Sequence, residues 1–123
     1  MRLLLEKGGA GAERIFDNHT LDLAFYEAGN AFWKATLLRE RISTQEAKMA
    51  VEFLDELKEQ VEVEALESLN LRRVMEVALR ERITFYDASY IVSAEVRELP
   101  LVTEDRDLAE TASRYVAVES AID

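Results

Sequence analysis

The apolar positions of this chain fall into short unbroken runs and longer helical stripes, and the two alternate. Thr20 to Phe25 is a short, mostly apolar run that predicts a strand buried on both faces. It leads directly into a helix-forming stretch from Tyr26 to Arg41. Ser43-Thr44-Gln45-Glu46 then has the Ser-x-x-Glu form of a capping box, in which serine oxygen and glutamate carboxylate each accept a bond from the other's backbone N–H. Behind it Ala47, Ala50, Val51, Leu54, Leu57 and Val61 recur at helical spacing, the stripe of a helix with one buried face. From Val61 to Leu66 the period changes to two. Val61, Val63 and Ala65 alternate with Glu62 and Glu64, which predicts a short edge strand whose glutamates face water.

Leu71, Val74, Met75, Ala78 and Leu79 mark one face of a further helix between Ser68 and Arg82, with Met75 filling the core. After Ile83-Thr84-Phe85, Asp87 is placed to cap a helix whose buried stripe is Ala88, Ile91 and Val92. Pro100 stops that helix beyond Leu99. Leu101 to Thr103 reads as a strand, Asp107 as the cap of a last helix through Arg114, and Tyr115 to Val118 as a final strand. The opening segment, Met1 to Phe16, reads as a short helix interrupted by Gly8-Gly9-Ala10-Gly11, a flexible break with no Lys-Ser/Thr behind it to make a phosphate loop. Strands alternating with helices predict the α/β class, with a mostly parallel sheet covered on both faces. No repeat interrupts the chain and it has a single proline, so residues 1–123 read as one domain.

Composition narrows the chemistry. A chain of 123 residues has room for one core. Its 15 basic and 25 acidic side chains leave a net charge of -10, yet 49% apolar content excludes an acidic disordered tail. Without cysteine, disulfides, thiolate catalysis and sulfur-held metals are excluded, and the lone His19 reads as an exposed loop residue. Metal chemistry here is therefore carboxylate chemistry, whose hard oxygens suit magnesium or manganese. No run approaches the ~18 apolar residues of a membrane span, and Met1-Arg2-Leu3-Leu4-Leu5 meets Glu6 too early for a signal peptide. No membrane partner and a cytoplasmic address are the expectation. A pI of ≈ 4.6 argues against a broad basic face for nucleic acid, but not against an acidic pocket whose field a bound cation reverses.

In an α/β sheet the functional crevice lies at the carboxyl ends of the strands. Glu27 follows the first predicted strand, Asp87 begins a helix, and Asp105 sits two residues past Leu101-Val102-Thr103, so three acids share one topological address. Asn30 lies one turn after Glu27, and the Thr103 hydroxyl can orient a carboxylate or a water. Each acid taken singly also fits a cap or a helix-dipole partner, as Asp107 does. Gathered together, carboxylates repel and raise one another's pKa, which a divalent cation relieves. Tyr26, Tyr86 and Tyr90 lie beside this address and are expected to pack in the core.

The stretch Phe25-Tyr26-Glu27-Ala28-Gly29-Asn30-Ala31-Phe32-Trp33-Lys34 resembles the Tyr-Glu-x-x-Asn-x-Leu-Trp-Lys stretch of PIN-domain proteins of the VapC toxin type. Thr84-Phe85-Tyr86-Asp87-Ala88-Ser89-Tyr90 and Leu99-Pro100-Leu101-Val102-Thr103-Glu104-Asp105 through Leu108 resemble that family's Thr-x-Tyr-Asp-Ala-x-Tyr and Leu-Pro-Leu-x-Thr-x-Asp-x-x-Leu motifs, in order and spacing. The resemblance implies a three-layer α/β/α sandwich and a Mg2+- or Mn2+-dependent ribonuclease, commonly a toxin paired with an antitoxin protein. It places Glu27, Asp87 and Asp105 on acidic metal-site positions, which makes them the candidate catalytic residues, and Asn30 and Thr103 on supporting polar positions.

Family members open with a strand ending in an aspartate, ahead of a helix that resembles Arg2-Leu3-Leu4-Leu5-Glu6-Lys7. This chain begins inside that helix, so the central first strand and the first acid are expected to be absent from it, with a start codon assigned too far downstream as the expected origin. Two functions follow from the resemblance. One is an endoribonuclease, impaired by the missing acid; the other is a non-catalytic PIN-like module that binds an antitoxin or a second copy of itself as a homodimer. A receiver-like or phosphatase-like domain is disfavoured, since it needs a late lysine and none follows Lys58.

Overall fold

The computed structural model describes residues 19–120, and the opening helix and glycine break predicted for Met1 to Phe16 lie outside them. β1 is His19–Leu21, and the apolar run after it turns helical at once: α1 is Leu23–Leu37. The Asp22 N–H donates to the Glu64 carbonyl at 3.0 Å, ending the strand pairing, and the Phe25 N–H donates to the Asp22 carbonyl at 3.1 Å, opening the helix. The strand expected over Thr20 to Phe25 is thus half helix, because a short apolar run has no period that separates the two. α1 also stops short of Arg41, and Glu40 turns the chain with a φ of 47°. His19 is a half-buried strand residue rather than a loop residue, its Nε2 2.5 Å from Glu62 Oε2.

The capping box forms as its sequence dictates. Ser43 Oγ accepts from the Glu46 N–H at 3.0 Å, Glu46 Oε1 accepts from the Ser43 N–H at 2.9 Å, and α2 (Thr44–Leu57) follows. Leu54, Leu57 and Val61 are buried, whereas Val51 stays exposed. β2 is Glu62–Glu64, parallel to β1 with His19 opposite Glu62 and Leu21 opposite Glu64. The predicted alternation holds at Val61, buried, and Glu62, exposed, but reverses beyond them: Glu64 is 5% exposed and Val63 faces solvent.

After a 3-10 turn, Leu66–Ser68, Asn70 caps α3 (Leu71–Glu81) by accepting from the Arg73 N–H at 3.1 Å. The buried face of α3 is Val74, Val77 and Ala78. Met75 is 47% exposed, as are Leu71 and Leu79 to similar or greater degree, so the buried stripe is rotated toward Val77 and Met75 fills no core. α4 (Phe85–Arg97) is the molecule's central helix, with Ala88 to Ala94 all buried, the pattern of a helix covered on every side. Its cap is Thr84, whose Oγ1 accepts from the Asp87 N–H at 3.0 Å, and not Asp87.

β3 (Leu101–Val102) pairs in parallel with β4 (Val118–Glu119), and α5 (Arg106–Ala112) lies between them in sequence. Asp105 rather than Asp107 caps α5, accepting from the Leu108 N–H at 3.1 Å. Tyr115 and Val116 precede the strand rather than forming it, their N–H groups closing the helix end on Ala112. The described residues therefore make an α/β fold of five α-helices and four parallel strands, arranged as two two-stranded sheets where the sequence predicts one. α4 touches both sheets, through β1 and β3, and packs along α3.

Candidate functional site

The three predicted acids are carried by the starts of three helices. Glu27 lies on the second turn of α1 and is half-buried. Its Oε1 accepts a bond from the Tyr90 hydroxyl at 2.5 Å. Tyr90 is 1% exposed and stands one turn after Asp87 on the same side of α4, and long side chains on a helix lean back toward its N-terminus. The phenol thus joins α4 to Glu27 one turn beyond Asp87, across the α1–α4 seam. Asp87 sits in the first turn of α4, where the helix's unbonded N–H groups favour negative charge.

Asp105 stands at the carboxyl end of β3, and its placement is local. Its backbone N–H donates to Thr103 Oγ1 at 3.1 Å, and its carboxylate turns inward along α5 to cap the helix. Thr103 is buried, and its hydroxyl meets the Asp105 backbone rather than the Asp105 carboxylate. Asn30 lies one turn beyond Glu27 with an exposed side chain. Among the described residues, no group of three or more His, Cys, Asp or Glu side chains is arranged to hold a metal ion.

The donors fit a hard cation in kind: carboxylates, a hydroxyl and an amide oxygen. Mg2+ keeps several waters and commonly takes only one or two carboxylates together with a substrate phosphate, so a pair at the α1–α4 seam matches its habits better than a closed cage would.

Two features escape the sequence reading. Glu64, expected on the outer face of an edge strand, is instead the one buried acid among the described residues. Burial alone would raise its carboxyl, but bonds from Ser93 Oγ and Arg97, the Arg97 charge, and Ser68 Oγ outweigh it and hold it below the ordinary value of 4.5. The sequence signal was the pair Ser93 and Arg97, four apart on α4 and therefore on one face. The second feature is aromatic. Tyr26 and Tyr86 stand 77% and 59% exposed rather than in the core, and of the three tyrosines only Tyr90 is buried. Both exposed rings line a cavity of about 280 Å³ together with Asp22, Leu66, Phe85 and Ser89.

The PIN-domain family model matches residues 10–114 of the chain. The chain belongs to the PIN-domain family. It is 37% identical over 102 residues to the exonuclease VapC9 of Pyrobaculum aerophilum, covering 83% of this chain and 72% of that protein. It is 39% identical over 95 residues to the ribonuclease VapC3 of the same organism, covering 75% and 69%. The crystal structure of PAE2754 from Pyrobaculum aerophilum superimposes with a TM-score of 0.67 at 36% identity, over 82% of this chain and 69% of that one. This PIN-domain chain is thus related to VapC proteins in sequence and matches a solved structure from the same organism in fold. No helix among its described residues is long and apolar enough to cross a membrane.

Proposed function

We propose that this chain is a Mg2+- or Mn2+-dependent endoribonuclease of the toxin–antitoxin type, acting on RNA in the cytoplasm, with an antitoxin protein and a second copy of itself as partners. The observation that supports it most is the Tyr90–Glu27 bond, which ties α1 to α4 one turn beyond Asp87. The relation to a ribonuclease and an exonuclease of the VapC group supports it independently. On this reading residues 1–123 form one PIN domain, a three-layer sandwich around a mostly parallel sheet.

Glu27, Asp87 and Asp105 would hold the metal. Once bound, such an ion lowers the pKa of a coordinated water and stabilises charge on phosphate oxygens. The chain's own residues orient: Tyr90 fixes the Glu27 carboxylate, Thr103 fixes the Asp105 backbone, and Asn30 offers a polar contact on the solvent side of α1. No side chain is required as nucleophile.

The test is cleavage of linear and circular single-stranded RNA with Mg2+ or Mn2+. Cutting of both forms is the expected result. Cutting of the linear form alone would make the chain an exonuclease, the activity named for one relative. Failure on both, with an intact fold, would remove the nuclease reading. It would leave a second one, a non-catalytic binding module, which the lack of a three-acid group among the described residues favours.

A further inference from the structure

A cavity beside the α1–α4 seam is lined, among the described residues, by exposed aromatic side chains. Tyr26 immediately precedes Glu27 and Tyr86 immediately precedes Asp87. Successive helical residues point about 100° apart, so an acid turned into the seam sends the ring before it outward. Two tyrosines more than half exposed, on different helices, line the same 280 Å³ space. Phe85, Leu66 and Leu69 complete an apolar floor.

The lining settles what kind of group fits. Its one charged residue is Asp22, an acid, and no lysine, arginine or histidine is among the described residues of the wall. A free phosphate would meet negative charge and no donor cation there. A flat neutral ring meets aromatic faces, on which bases stack with little regard to their identity. The substrate in the proposed reaction supplies such a ring within one nucleotide of the phosphate that Glu27 and Asp87 face.

We propose that this cavity receives one unpaired base of the RNA strand, held against Tyr26 and Tyr86 while the adjoining phosphate lies at the carboxylate seam. The proposal rests on the nuclease reading and adds a specificity element to it. Because a base must leave its helix to enter, the site selects single-stranded or looped RNA over duplex.

The experiment takes the best-cut member of a set of short single-stranded RNAs and walks one abasic position along it. Steady-state cleavage is then measured for the wild type, Tyr26→Ala, Tyr86→Ala and Tyr86→Phe. The alanine variants should raise KM about tenfold each with unchanged thermal melting, and Tyr86→Phe, which restores the ring, should restore KM to within about twofold. One abasic position should cost the wild type a similar factor and cost the alanine variants little more, a coupling that a merely structural tyrosine would not produce. Unchanged KM in both alanine variants, or an abasic penalty that persists in them, overturns the proposal while leaving the nuclease reading intact. The same holds if they cut RNA normally but lose affinity for an amphipathic partner helix, which would make the cavity a protein-docking site. A wild type that neither binds nor cuts any of the RNAs overturns both.

Discussion

The two ends of α4 hold carboxylates in opposite ways. At its C-terminal end the donors are cationic as well as neutral: Glu64 takes Ser93, Ser68 and Arg97, and Glu95 takes a two-pronged contact from Arg73, Nε to Oε1 at 3.0 Å and Nη2 to Oε2 at 2.9 Å. At the N-terminal end a phenol bonds Glu27, and a threonine caps the helix that carries Asp87. Guanidinium forks pin a carboxylate by charge and geometry together, whereas a phenol fixes its position through a single neutral donor. The first arrangement suits stability. The second suits a carboxylate whose orientation matters.

The largest effect that separates the two ends is expected from Asp87→Asn. If the N-terminal end is the metal seam, RNA cleavage should fall by at least about 100-fold while the melting temperature falls by only a few degrees, the cost of a lost charge at a helix start. Cleavage at wild-type rate would place the seam elsewhere. At the other end, Glu64→Ala strands Ser93 beside a buried gap and leaves Arg97 without its acceptor, at a cost of about 2–3 kcal/mol in chemical unfolding. The folded fraction should still cut RNA. Activity lost in proportion beyond the unfolded fraction would show that the two ends are not separable.

The same acid predicts a pH dependence. The Glu64 carboxyl lies below its ordinary 4.5 in the folded chain, as does that of Glu95, held down first by its bonds from Arg73. A lowered folded pKa means stability that is fully present above the unfolded value and is lost as pH falls through the folded one. Unfolding free energy should therefore decline below about pH 4.5, and Glu64→Gln should flatten part of that decline. An unchanged slope in the variant would assign the acid sensitivity to other carboxylates.

A smaller effect is expected from Tyr90→Phe, which removes one hydroxyl. Stability should drop by about 1 kcal/mol or less, since Glu27 is only half-buried and can turn to water. Cleavage should fall about tenfold with a raised Mg2+ requirement, because a carboxylate free to rotate binds the ion less well. A fall in rate with the Mg2+ dependence unmoved would mean that Tyr90 acts through packing alone.

Residues that act through local chain chemistry were legible from sequence, and those that act through tertiary partners were not. The Ser43–Glu46 box needs only its own four residues, and it forms as written. The capping roles given to Asp87 and Asp107 moved to Thr84 and Asp105, because a run with several polar residues at a helix start offers more than one cap and the neighbouring turn decides. Glu64 was misplaced because alternation treats every residue of a face alike, whereas Glu62 stays exposed and Glu64, two residues on, is buried. That choice was made by Ser93 and Arg97, about thirty residues later in the chain. Glu27, Asp87 and Asp105 could be nominated from their addresses at strand and helix ends, while the link from Glu27 to Tyr90 spans 63 positions and has no local signature.

The smallest change, Arg73→Lys, tests whether the C-terminal end depends on shape as well as charge. Arg73 bonds Glu95 with two nitrogens, approaches Glu76 at 3.6 Å and stacks 5.7 Å from the centre of the Tyr115 ring. Lysine keeps the charge but has neither the fork nor the flat face, so one bond survives where there were two, and the stacking is lost. Both side chains are less than a third exposed, which limits screening by water. A loss of about 1 kcal/mol is expected in denaturant unfolding, with RNA cleavage per folded molecule unchanged. A neutral result would mean that charge alone secures this end. The paired bonds from the guanidinium fork would then add nothing beyond what a single ammonium contact supplies.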